Sequence, residues 1–143
     1  MSTQHFSLSF VVDRSPGEVF NIIKDVSSWW SGLYNEQFEG KSDSKDDEFS
    51  FRAGNGAHYS RQRLIEIIPG KRLVWLVIES ELNFLKNRSE WTGTKIIFDV
   101  AKKESQTAIT FTHEGLHPKV ECYNSCAPVW TQYLEQKLLS SLQ

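Results

Sequence analysis

The chain has no excess of charge of either sign. Its 16 Lys and Arg stand against 18 Asp and Glu, a formal charge of −2 over 143 residues. A nucleic-acid binder normally carries a basic excess, so none is expected as a partner. No window approaches the ~20 apolar residues of a membrane-crossing helix, so no membrane partner is expected either. The opening MSTQHFSLSF has no basic stretch followed by an apolar core, so no secretory leader is expected, and a cytoplasmic location is the default. Linkers rich in Pro, Gly or Ser are missing, as are internal repeats. Residues 1–143 are therefore read as one domain. The nucleophile elbow, the phosphate-binding loop and the dinucleotide fingerprint are all absent, and no cofactor is expected.

Cysteine is scarce too. Cys122 and Cys126 are the only two, spaced C-x3-C. On a helix that spacing puts both on one face, with side chains running side by side along the axis. Such neighbours are poorly placed for a disulfide, so two buried free thiols are expected. His113, His117, Cys122 and Cys126 are zinc-competent ligand types. They are split between a strand and a helix with no partner hairpin, and no metal is expected.

What the chain does have is rings. Five Trp, nine Phe and four Tyr make up 13% of it. Each aromatic buries roughly 150–250 Å², so a few rings do much of the interior work.

The order of elements is restrictive. Residues 6–12 (FSLSFVV) alternate apolar and polar, as in a half-buried strand. Ser15 caps a helix with Pro16 first and Glu18 at the capping-box position. Ser27-Ser28 start a short turn carrying Trp29 and Trp30. Successive residues diverge, so one indole should plug the core and the other line a cavity mouth or a partner surface.

Strands are then expected over 34–39, 48–52, 57–68, 72–79, 93–101 and 107–114. Asn55-Gly56 and Pro69-Gly70 supply turns, and 41–48 reads as a solvated hairpin tip. The exposure of 57–68 should change along its length, because its first half is polar-rich and its second apolar. Residues 81–91 read equally as loop, short helix or strand entrance. After Pro118, Val120, Tyr123, Ala127, Trp130, Leu134, Leu138 and Leu142 recur at helical spacing. Pro128 should kink or restart this helix, with Ser125 placed to cap a restart.

The opening FSLSFVVDRSPGEVFNIIKDVSSWW, then PGKRLVW, ITFTHEGL and the terminal VWTQYLEQKLLSSL resemble SRPBCC (START-like, helix-grip) proteins. The branch they are most similar to is that of small bacterial proteins like the C-terminal domain of Aha-type activators of the heat-shock 90 ATPase. The resemblance spans essentially the whole chain, although Val129 stands where a Gly precedes Trp130 in that branch, and Pro128 is unusual. It implies an α+β helix-grip fold. In that fold a curved antiparallel sheet of about seven strands wraps a long C-terminal helix, with short helices after the first strand. It also implies a hydrophobic cavity between sheet and helix. A monomer and a homodimer are both compatible with the family.

Fold alone does not set function, so three readings stand at this point. In the first, a small hydrophobic or aromatic ligand, with or without an acidic group, lies between sheet and helix. The candidate lining residues are Trp30, Phe49, Phe51, Tyr59, Trp75 and Phe98 on the sheet side and its approaches. Phe111, His113, Cys126, Trp130 and Tyr133 complete the set. In the second, the chain is an Aha-like interaction module with a chaperone as partner. In the third, it is a cyclase, dehydratase or hydrolase using His113 or an inward carboxylate as acid or base. His113 shares a strand face with Phe111, and a structural histidine hydrogen-bonded to backbone or helix is the plainer expectation. Arg52, Arg61 and Arg63 read as exposed arginines paired with Glu48 or Glu66 rather than as anchors for a ligand carboxylate.

Overall fold

A computed structural model describes residues 5–117 and 120–142. β1 (Phe6–Val12) leads into α1 (Pro16–Lys24) and a single helical turn, α2 (Val26–Trp29). Six strands follow: β2 (Gln37–Gly40), β3 (Glu48–Ala53), β4 (His58–Ile68), β5 (Arg72–Leu82), β6 (Lys95–Lys103) and β7 (Gln106–Glu114). The closing helix begins as α3 (Tyr123–Gln132), continues as a π-helical stretch (Tyr133–Leu138) and ends in the short α4 (Leu139–Ser141). Every strand pairing is antiparallel, in the order β1-β7-β6-β5-β4-β3-β2. The α+β helix-grip architecture is thus the one expected: a curved seven-stranded sheet with a long C-terminal helix against it.

Local chemistry accounts for the elements. The Ser15 hydroxyl accepts from Glu18 N–H, and the Glu18 carboxylate accepts from Ser15 N–H, closing the capping box around Pro16. β7 alternates strictly, with Thr107, Ile109, Phe111 and His113 buried and their neighbours turned outward. β4 alternates as far as Leu64 and loses the alternation where its pairing with β5 slips between Leu64 and Glu66; a further slip, between Arg61 and Gln62, puts its extra residue on β5. Each slip bends the strand and increases its twist, which curves the sheet.

Several expectations need correction. β2 starts at Gln37 rather than at residue 34. The Glu36 carboxylate takes the backbone N–H groups of Gly32, Leu33 and Tyr34, which folds 32–36 into a compact loop. Trp29 plugs the core as expected; Trp30, expected at a cavity mouth or partner surface, is buried as well, and the two rings stack at 5.8 Å. The helix ends between them, so the non-helical Trp30 backbone (φ −92°, ψ 50°) turns the second indole back inward. The final helix runs through Pro128 without a restart, and Ser125 caps nothing. Its first residue is Tyr123; Pro118 lies outside the described residues.

The irregularity comes further on, and the apolar spacing explains it. Trp130, Leu134, Leu138 and Leu142 are all buried at steps of four residues. An α-helix turns once in 3.6 residues, so each such step overshoots by about 40°. A π-helical turn takes in an additional residue and keeps the row facing the sheet.

One glycine fixes the β2–β3 corner. Gly40 has φ +108°, and a Cβ there would lie 2.3 Å from the Glu48 carbonyl oxygen and 2.8 Å from Phe49 Cα. Backbone cannot yield as a side-chain tip can. Gly40→Ala is expected to cost roughly 3 kcal/mol, from positive-φ strain and the clash together. Urea unfolding checks this; a loss below about 1 kcal/mol would mean that the corner relaxes freely.

Candidate functional site

Between the curved sheet and α3 lies a cavity of about 180 Å³, open on one side. Phe51 and Ala53 of β3 and His58 of β4 form its sheet wall. Cys126, Val129 and Trp130 of α3, with Tyr133 at the start of the π-helical stretch, form the helix wall. Trp30 and Trp91 close two sides, and Tyr34 and Phe84 stand at the mouth. Phe84 is 48% exposed.

The walls are held by stacked rings. Trp130 lies 4.7 Å from Phe111, 4.9 Å from Trp30 and 5.9 Å from Trp91, the last pair stacked within 10° of parallel. Trp30 stacks on Phe51 at 4.3 Å. Such offset and edge-on pairs are worth about 0.5–1.5 kcal/mol each beyond the area they bury.

Carboxylates fasten the loops around this cluster. Glu36 accepts from the Tyr133 hydroxyl as well as from its own loop, tying 32–36 to the helix. Partial burial pushes the Glu36 carboxyl up, but these hydrogen bonds outweigh it and hold the group below its ordinary value. Burial first, then the Glu36 carboxylate, push the Tyr133 hydroxyl well up, so it remains a donor. On the opposite side two glutamates exchange ends. Glu121 accepts from Lys86 N–H and Asn87 N–H, while Glu90 accepts from Glu121 N–H and Cys122 N–H at the start of α3. The 83–92 loop, ambiguous in sequence, is thereby fixed to the helix N-terminus and carries Trp91 into the wall.

His113 sits beneath this wall rather than in it. Trp130 Nε1–H donates to His113 Nδ1 at 3.0 Å. An acceptor Nδ1 places the proton of a neutral imidazole on Nε2, which then donates to Thr94 Oγ1 at 2.9 Å. The Thr94 hydroxyl in turn donates a hydrogen bond to the Trp91 carbonyl at 2.6 Å. Burial, with lesser repulsion from His58 and His5, pushes the His113 imidazole down to about 3. This is a satisfied structural histidine that joins the helix to the 91–94 corner.

Of the residues singled out in the sequence, Trp30, Phe51, Cys126, Trp130 and Tyr133 line the cavity. Phe49, Trp75, Phe98 and Phe111 are buried deeper in the core, behind that wall. Tyr59 does not line it: its hydroxyl donates to Glu79, and its ring lies under the Arg52 guanidinium, 4.4 Å away. Parity along β4 explains this. Ser60, Gln62 and Leu64 face inward, so odd-numbered Tyr59, Arg61 and Arg63 do not. Arg63 and Arg61 both pair with Glu48, and Arg72 takes Glu66 and Asp99. The arginines thus stay outside the cavity.

Cys122 and Cys126 stand side by side as the spacing predicts, with their sulfurs in contact and Cα atoms 5.6 Å apart. Cys122 is the residue preceding α3, so the pair spans the helix entrance rather than two interior turns. Both His113 nitrogens are taken within the fold.

Sequence reasoning missed His58, Trp91, Tyr34 and Phe84. His58 left a signal: it shares the parity of Ser60, Gln62 and Leu64 at the start of β4. Trp91 left none, because its placement depends on the long-range Glu90 and Glu121 contacts.

No family model and no curated protein sequence matches this chain. Solved structures do. The Aha1 dimer from Colwellia psychrerythraea is 21% identical, with a TM-score of 0.72 over 97% of this chain and 93% of that one. The Mll3558 protein from Rhizobium loti is 16% identical, with a TM-score of 0.75 over the whole of both chains. Protein CV1439 from Chromobacterium violaceum is 17% identical, with a TM-score of 0.68 over 97% of each. At these identities the likeness is one of fold, and the fold this chain shares with them is the helix-grip architecture described above.

Proposed function

We propose that the chain binds a small hydrophobic or aromatic molecule in the cavity between its sheet and its C-terminal helix. The observation that carries this reading is the cavity itself: an opening of about 180 Å³ walled by Trp30, Trp91 and Trp130 in a fold otherwise filled by its own rings. An engineered apolar cavity of about 150 Å³ accepts benzene, so this one suits a compound of one or two rings rather than a long-chain lipid.

Native mass spectrometry of freshly purified protein should reveal a retained apolar compound. Ala53→Leu fills the sheet wall and should weaken capture of a small aromatic at least tenfold while changing stability by only about 1 kcal/mol. A clean unliganded mass, with no thermal shift from an aromatic panel, would overturn the reading.

The Aha-like resemblance supports a second reading, an interaction module for a chaperone or for a second copy of the chain. Phe84, exposed beside the mouth, favours it. Enrichment of a chaperone on immobilised protein, lost in Phe84→Ser, would favour this reading over the first. Both His113 nitrogens are engaged in holding Trp130 and Thr94, which speaks against His113 as an acid or base.

A further inference from the structure

The sheet is open, and its two edges are built differently. β2 is an edge of four residues that carries Glu39 and ends at the Gly40 corner. Short length and charge are common protections against the addition of a further strand. β1 has neither. Its seven residues, FSLSFVV, hold no charge, proline or glycine, and they pair with β7 from Phe6 to Val12 without a register shift.

In an antiparallel ladder, alternate residues turn their N–H and C=O to the same neighbour. The Phe6 N–H goes to Leu116 on the β7 side, so Phe6, Leu8, Phe10 and Val12 face β7. Ser7, Ser9 and Val11 then turn their backbone groups away from the sheet, where no hydrogen bond from the described residues reaches them. The side chains of the strand are incompletely covered too. Phe6, Leu8 and Phe10 pack against the core yet stay half-buried, and Val11 on the outer face is 41% exposed.

We propose that this edge is the surface through which two copies of the chain associate, β1 pairing antiparallel with β1 about a two-fold axis at Ser9.

The strand is complementary to itself in that register. Centring on Ser9 sets Leu8 opposite Phe10, Phe6 opposite Val12 and Ser7 opposite Val11. The inward row of one copy meets the inward row of the other, so apolar atoms cover what each copy alone leaves half-buried. Just beyond the strand ends, the same register sets His5 of each copy opposite Asp13 of the other. Gly115 N–H donates to His5 Nδ1, which leaves the Nε2 proton of a neutral imidazole to meet that carboxylate. Ser7, Ser9 and Val11 supply the main-chain hydrogen bonds of the new ladder. The symmetry keeps both C-terminal helices on one side of a continuous sheet. The cavity lies beside β3 and β4, towards the other edge, so the association does not depend on a ligand there.

Sedimentation equilibrium of the whole chain over about 1–300 µM tests this. A strand-length contact lies at the small end of specific interfaces, so the mass should pass from one chain to two with a Kd of about 10 µM. Ser9→Pro should remain a single chain across that range. Its missing N–H points away from β7, so the ladder within the chain survives, as for prolines on natural edge strands. Ser9→Lys sets two like charges together at the axis and should weaken association about fivefold. Amide exchange at Ser7, Ser9 and Val11 should slow as the unmodified protein is concentrated. A single chain at every concentration would overturn the proposal. So would a dimer undiminished by both substitutions, or one lost instead in Phe84→Ser, because the contact would then lie elsewhere. Should Ser9→Pro fail to fold, Ser9→Lys and the exchange pattern decide.

Discussion

Acidification from pH 7 to pH 5 is expected to remove about 4 kcal/mol of stability, at a pH where an ordinary carboxylate is still ionised. The cause is the pair of buried imidazoles. Burial holds His58 down to about 4, and burial together with repulsion from His58 and His5 holds His113 to about 3, against an ordinary value of 6.5. Below 6.5 the unfolded chain takes up a proton at each site and the folded chain does not. The unfolded state then binds more protons, so stability falls as pH falls. Each histidine contributes up to about 1.4 kcal/mol per pH unit, and the decline levels off only once the folded values are passed.

Domains of this kind have about 5–15 kcal/mol in total, so the loss is a large share. Urea unfolding at pH 7 and pH 5 measures it, with imidazole carbon shifts reporting charge on each ring. His58→Phe should remove close to half of the pH slope. Equal stability at the two pH values would mean that the imidazoles gain solvent, and protons, without unfolding.

Replacing Trp130 by Ala should be the most damaging single change in the ring cluster. Trp130 is 2% exposed and touches Trp30, Trp91, Phe111, His113 and Tyr133. Removing a buried indole costs about 3–5 kcal/mol, and the His113 acceptor left without its donor adds to that. The melting temperature should drop by more than about 10 °C.

Trp130→Phe separates the two contributions. It keeps a six-membered ring in the cluster but loses the N–H and part of the indole volume, so it should cost about 2–4 kcal/mol, less than Ala. If the Phe and Ala variants melt together, the five-membered part of the indole, with its hydrogen bond to His113, carries the loss. If Phe matches the unmodified protein, the ring is all that matters.

Much of this fold is written locally. The capping box at Ser15 and Glu18, the alternation of β1 and β7 and the turn residues between strands act within a few positions, so pattern alone places those elements. The candidate cavity was legible only in part. Trp30, Phe51, Cys126, Trp130 and Tyr133 follow from inward parity or helical spacing. Phe49, Trp75, Phe98 and Phe111 obey the same inward pattern yet lie behind the wall, because periodicity reports the buried side of an element and not the depth along it.

By itself, then, the sequence determined the order of strands and helices, which faces turn inward, and that rings dominate the interior. These follow from short-range sterics, capping and the periods of helix and strand. Only the tertiary structure decided where the interior is left open and which polar atoms it leaves unmet. Trp91 reaches the wall because Glu90 and Glu121 fasten its loop to a helix some thirty positions further on. His113 is satisfied because Trp130 arrives from that same helix, whereas buried His58 Nε2 meets no partner among the described residues. A cavity is the space that packed elements fail to fill. It depends on contacts between segments distant in the chain, and no local period encodes it.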